Sequence, residues 1–112
     1  MSKSKQKGTR FESQVVAYLK DHGYSLAERR APNGKLDRGD IGGVRGWTLE
    51  LKNCKQMTLG PWLKEAGRES DNAGTTRYAV VHKQRERGVD ESFVTMPLWL
   101  FAELARGDAG NA

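Results

Sequence analysis

The spacing of apolar and polar positions changes several times along the chain. Over residues 9–22, Phe11, Val15, Val16, Tyr18 and Leu19 recur at helical spacing and form one apolar stripe. A helix is predicted there, with Thr9 as N-cap, Glu12 completing a capping box and Gly23 as the stop. Residues 24–31, "YSLAERRA", read as a first strand, and "PNGKLDRG" after it as a loop. In "RGDIGGVRGWTLELKN", residues 38–53, the period becomes two. Trp47, Leu49 and Leu51 alternate with Thr48, Glu50 and Lys52, which predicts a hairpin turning at Arg45-Gly46. Gly42 and Gly43 in its first strand mark a bulge or a close approach by another backbone.

Helical spacing returns over residues 59–72 and ends at Gly74, with Pro61 acceptable in the first turn. "RYAVVH", residues 77–82, is apolar enough for a strand buried on both faces. "SFVTM" is a short fifth strand, Pro97 ends it, and "LWLFAELAR" is a final helix. The order helix, three strands, helix, two strands, helix implies α/β with a mixed central sheet flanked by helices. Residues 8–106 are expected to form one domain, residues 1–7 a flexible basic tail, and residues 107–112 a frayed C-terminus.

Composition narrows the setting. The single cysteine, Cys54, excludes an internal disulfide framework, and no apolar run suits a signal peptide or a membrane span. A soluble protein of the cytoplasm (the host's, if viral) with no membrane partner is expected. Nineteen Lys and Arg against fourteen acids give a net charge of +5, a moderate bias toward a polyanionic partner.

The chemistry concentrates in the hairpin. Pairing back from the turn sets the Asp40 end of one strand beside the Glu50–Lys52 end of the other. Carboxylates this close repel each other unless a cation lies between them, and such oxygen ligands suit Mg²⁺. An ion pair on an exposed strand face is the plainer alternative. Glu12 adds a second signal, because it falls inside the apolar stripe of the first helix, where a charge without a partner is costly. Either it only closes the capping box, or it points at the sheet and joins the acidic cluster.

Glu12, Asp40, Glu50 and Lys52, in this order and on these elements, resemble the PD-(D/E)XK nuclease superfamily. "KGTRFE" and "LKDHGY" in the first helix are most similar to the archaeal-type Holliday junction resolvases and their small viral relatives. The usual Pro before the Asp is Gly39 here. The resemblance covers about residues 7–82 and implies an αβββαβ restriction-endonuclease-like core, with the last strand and helix as additions. It implies a Mg²⁺-dependent DNA endonuclease, with Mn²⁺ as a substitute, that resolves four-way junctions by paired nicks. Asp40, Glu50 and the backbone carbonyl of Leu51 would hold the ion, and Glu12 a water or a second ion. Lys52 would stabilise charge developing on the phosphate, and Gln56 would help orient the nucleophile. A nuclease for other branched, single-stranded or damaged DNA is an alternative, as is a non-catalytic DNA-binding module.

Phosphate contacts are expected from Lys3, Lys5, Lys7, Arg29, Arg30, Lys35, Arg38 and Lys55, which would position DNA without reading its sequence. Paired nicks favour a C2 homodimer, with residues 93–104 as the candidate interface. Cys54 reads as structural, since metal-dependent phosphodiester cleavage needs no thiol. His22 suits a helix C-terminus, and His82 a solvated strand end. The three tryptophans read as core or interface.

Overall fold

The computed structural model describes residues 2–31 and 36–110. Lys35 and residues 111–112 lie outside them. Helix α1 spans Lys3–Asp21, and Ser2 caps it by accepting from the Lys5 N–H at 3.1 Å. The helix therefore starts seven residues earlier than the Thr9 capping box implies, and residues 3–7 form its first turns instead of a tail. Lysine and glutamine favour helix, and a serine N-cap precedes them. Glu12 is thus well inside the helix, where no cap needs it. At the other end His22 donates from Nδ1 to the Tyr18 carbonyl (2.8 Å) and stacks on the Tyr18 ring.

Of the first predicted strand only β1, Glu28–Arg29, pairs; β2 (Ile41–Gly42) and β3 (Trp47–Lys52) form the hairpin. Its turn closes with Trp47 N–H donating to the Val44 carbonyl, and Gly46 takes a φ of +83°, as the third residue of a type II turn requires. Helix α2 spans Leu59–Ala73 and ends on a left-handed Gly74. Strand β4 is Arg77–His82, a 3₁₀ turn follows at Val89–Glu91, β5 is Phe93–Thr95, and α3 is Leu98–Gly110. The final helix thus continues through most of the segment expected to fray.

The five strands lie in chain order in one sheet. β1, β2 and β3 are antiparallel neighbours; β3 and β4 are parallel, joined through α2; β5 returns antiparallel to β4. The mixed α/β architecture expected from the sequence is present. The period of two in β3 divides the protein. Leu49 and Leu51 join Phe11 and Val15 of α1, with Ile41, Ala79 and Val81, in the larger core. On the opposite face Trp62 and Ala66 of α2 pack with Val80. Each fully buried large side chain, such as Phe11 or Ile41, contributes about 1.5–3 kcal/mol. The polar face of β3 is therefore not open to solvent: α2 covers it, and Thr48 and Glu50 are buried beneath it.

Two glycines set the approach to this face. Gly43 has a φ of +82°, and a Cβ there would collide with the Leu26 carbonyl, the close backbone approach anticipated for this strand. Gly39 has a φ of +90°, with Thr48 and the Leu49 carbonyl crowding the place of a Cβ. Proline, fixed near −65°, cannot adopt that conformation. The departure from the Pro-Asp pattern is thus a requirement of this backbone. Among the described residues no helix is long and apolar enough to cross a membrane.

Candidate functional site

The hairpin register sets Ile41 opposite Leu49, so Asp40 and Glu50 stand next to one another at the open end. The Asp40 N–H donates to the Leu49 carbonyl at 2.9 Å, and its Oδ2 accepts from the Leu51 N–H at 2.8 Å. These two bonds fix the carboxylate beside β3. Glu50, two residues after Thr48, points the same way into the layer between sheet and α2, and is 4% exposed. Burial, and then Asp40, Glu65 and Glu69, raise its pKa far above the ordinary 4.5. In the metal-free protein that shift favours the protonated acid.

Lys52, at the end of the same strand face, reaches Glu65 Oε2 at 3.4 Å. Burial works against its charge, but Glu50 and Glu65 outweigh it, so its pKa lies above the usual value and it stays an ammonium. Glu65 in turn is lowered, first by its hydrogen bond with Glu50 and then, against burial, by Lys52. Glu12 pairs with Arg29 at 3.1 Å, with its side chain one-fifth exposed. Burial raises its pKa, Arg29 partly offsets this, and Asp40 raises it again. Glu12 therefore senses Asp40 from across the edge of the sheet, held by Arg29.

Asp40, Glu50 and Lys52 are brought together as the hairpin reading requires, with Glu12 at the margin. Three further acids enter that the sequence reading did not single out. One ligand oxygen from each of Asp37, Glu50, Glu65 and Glu69 lies within 4.8 Å of the others. Asp37 precedes the hairpin and is tied down by its own Asx bond to Gly39 N–H (2.9 Å) and by Asn72, which donates to its carbonyl at 2.8 Å. Glu65 and Glu69 are one turn apart on the face of α2 that carries Trp62 and Ala66. A hydroxyl chain pins that helix to the sheet: Thr48 Oγ1 to Thr75 Oγ1 at 2.8 Å, and Ser70 Oγ to the Thr75 hydroxyl and carbonyl at 2.6 and 2.9 Å. Burial raises the Glu69 pKa to about 8, with Glu50 opposing and Asp37 adding to the shift. Helical spacing sets Glu69 beside the Trp62–Ala66 stripe in the sequence, but nothing in the sequence shows that it meets Glu50.

The remaining candidates are more dispersed. Gln56 is exposed on the loop after β3 and makes no hydrogen bond to the site among the described residues. Cys54 is exposed too, so it plays no packing role. Lys3, Lys5, Lys7, Arg38 and Lys55 are exposed; Arg29 is engaged by Glu12, and Arg30 by the Arg38 carbonyl. His82 is not at a solvated strand end but 4% exposed, its ring tilted against Trp62 and Phe93 and its Nε2 2.7 Å from Thr95 Oγ1.

Clustered hard oxygen donors with a retained ammonium can hold a divalent cation and meet a phosphate. The donor set suits Mg²⁺ or Mn²⁺, which take carboxylates and carbonyl oxygens. No family model, no curated protein and no solved structure matches this chain.

Proposed function

We propose that this protein is a metal-dependent DNA endonuclease of the PD-(D/E)XK type, acting on four-way junctions. The observation that carries this reading is the pairing of Asp40 and Glu50 at the open end of the hairpin, with Lys52 retained as an ammonium on the same strand. The element order α1, β1, β2, β3, α2, β4 agrees with a restriction-endonuclease-like core, to which β5 and α3 are additions.

Asp40, Glu50 and the Leu51 carbonyl would hold Mg²⁺ or Mn²⁺. A bound ion would supply Lewis acidity toward the phosphate and would lower the pKa of water at the site toward neutrality. The chain's own groups do the rest. The Leu51 N–H fixes Asp40, so that its carboxylate needs no reorganisation when substrate arrives. Arg29 holds Glu12 where its charge bears on Asp40. Lys52 exchanges Glu65 for the scissile phosphate and stabilises the charge that builds there. Lys3, Lys5, Lys7, Arg38 and Lys55 supply phosphate contacts along the duplex arms.

Paired nicking calls for two active sites. Phe93, Val94, Leu98, Trp99 and Phe101 are all more than two-fifths exposed on β5 and α3. We assign this apolar patch to a C2 homodimer contact. Incubation with Mg²⁺ and four-way, flap, linear and single-stranded DNA tests the function. Symmetric nicks in the four-way substrate are expected. Equal cutting of flaps or single strands would reassign the substrate, and no cutting with Mg²⁺ or Mn²⁺ would leave a DNA-binding module.

A further inference from the structure

Glu69 has the feature that the nuclease reading does not use. Its side chain is 2% exposed, and neither carboxylate oxygen has a hydrogen-bond partner among the described residues. An orphaned buried acid is among the more expensive arrangements a core can hold. The groups it faces are other carboxylates, Asp37, Glu50 and Glu65. Both cations near the rim, Lys52 and Arg68, act on Glu65. A hydrogen bond between Glu69 and its neighbours therefore requires a proton on one of the acids, or else a cation among them.

The dimensions fit a cation. Opposite ligands of a calcium ion lie about 4.8 Å apart, and those of magnesium about 4.2 Å. The four oxygens fall within 4.8 Å of one another. Magnesium also prefers few carboxylates and several waters, whereas calcium accepts cages built largely of carboxylates. An entry path exists: a cleft of about 310 Å³ opens onto Glu65 and Glu69, walled by Asp37, Arg68, Asp71 and Asn72. The Asn72 bond to the Asp37 carbonyl already holds the loop side of the cage against α2.

We propose that Asp37, Glu50, Glu65 and Glu69 form a second divalent-cation site, suited to Ca²⁺ or Mn²⁺ and anchored by Glu69, that clips the loop before the hairpin to α2. The site shares Glu50 with the hairpin centre but stands independently of any nuclease activity. Bound calcium there satisfies the Glu69 oxygens and opposes opening of the sheet–α2 layer.

The test uses the whole chain and the metal alone. Calcium is titrated by calorimetry, and melting is followed in EDTA and in Ca²⁺ for the wild type, Glu69→Gln, Glu65→Gln and Asp21→Asn. The wild type should bind calcium and melt several degrees higher with it. Glu69→Gln and Glu65→Gln should each weaken calcium binding by about tenfold or more, because each removes a charged ligand. Asp21→Asn, which removes an exposed acid at the end of α1 outside both centres, should keep calcium binding. Circular dichroism in EDTA checks that each variant is folded, and Glu65→Gln carries the test if Glu69→Gln is not. Calcium binding or stabilisation undiminished in both Gln variants overturns the site, as does a wild type with no calcium response. Either result leaves the nuclease reading to its own cleavage test.

Discussion

Replacing Glu50 with glutamine should stabilise the metal-free protein while removing its chemistry. Glu50 is buried with Asp40, Glu65 and Glu69 around it. Ionised oxygens separated by 4.8 Å, the limit of the cluster, repel by about 3.5 kcal/mol at an effective dielectric of about 20. The folded protein avoids this by keeping a proton on Glu50. The unfolded chain releases that proton above the ordinary value of 4.5. The folded state thus binds more protons than the unfolded state above that pH, and wild-type stability falls as pH rises. Holding one proton costs about 1.4 kcal/mol per pH unit, or about 3.4 kcal/mol at pH 7. Glutamine needs no proton and offers an N–H₂ to the neighbouring carboxylates. Glu50→Gln should therefore gain about 3 kcal/mol at pH 7 in EDTA, a rise in melting midpoint of roughly 10 °C. The gain should shrink with acidity and vanish near pH 4.5. Denaturant and thermal unfolding of both proteins from pH 4.5 to 8 measure it. A variant no more stable than wild type, or a gain independent of pH, would refute the reasoning.

Lys52→Ala should lower turnover more than it raises KM in single-turnover assays with Mg²⁺, because the ammonium acts on charge that develops in the transition state; an effect confined to KM would make it a simple phosphate contact. Glu12→Gln should cut activity at limiting Mg²⁺ and leave melting in EDTA unchanged or higher, since it neutralises a half-buried acid beside Asp40; near-normal cleavage across a Mg²⁺ titration removes Glu12 from the site. Gly43→Ala should destabilise by more than about 1 kcal/mol, because its Cβ would meet the Leu26 carbonyl at a positive φ; melting within a degree of wild type would show that β1 and β2 can separate at no cost.

Local periodicity made most of the elements legible. The alternation Trp47, Leu49, Leu51 placed β3 to the residue, and "RYAVVH" did the same for β4. The α1 start was misplaced because Thr9-x-x-Glu12 imitates a capping box, while the true cap, Ser2, precedes a run without apolar residues and so without periodicity. β1 shrank to two residues because "YSLAERRA" has no alternation to bury on one face. The hairpin half of the site was legible because its acids are close in sequence and the turn fixes their register. The α2 half was not, because Glu65 and Glu69 meet Glu50 only through the parallel crossover that lays α2 over β3. Glycine at position 39 read as a mismatch to a pattern, and only its φ shows that the backbone demands it.

The most direct measurement compares wild type with Asp40→Asn on a labelled four-way junction, following cutting and binding together across a Mg²⁺ titration with EDTA at its origin. Asp40 accepts the Leu51 N–H whether charged or amidated, so the variant should fold and bind DNA at least as well as wild type. Mg²⁺-dependent paired nicks by the wild type, with none by the bound Asp40→Asn, are predicted. Nicking by Asp40→Asn at the wild-type rate, or no nicking by the wild type at any Mg²⁺ concentration, would contradict a hydrolytic centre at the hairpin.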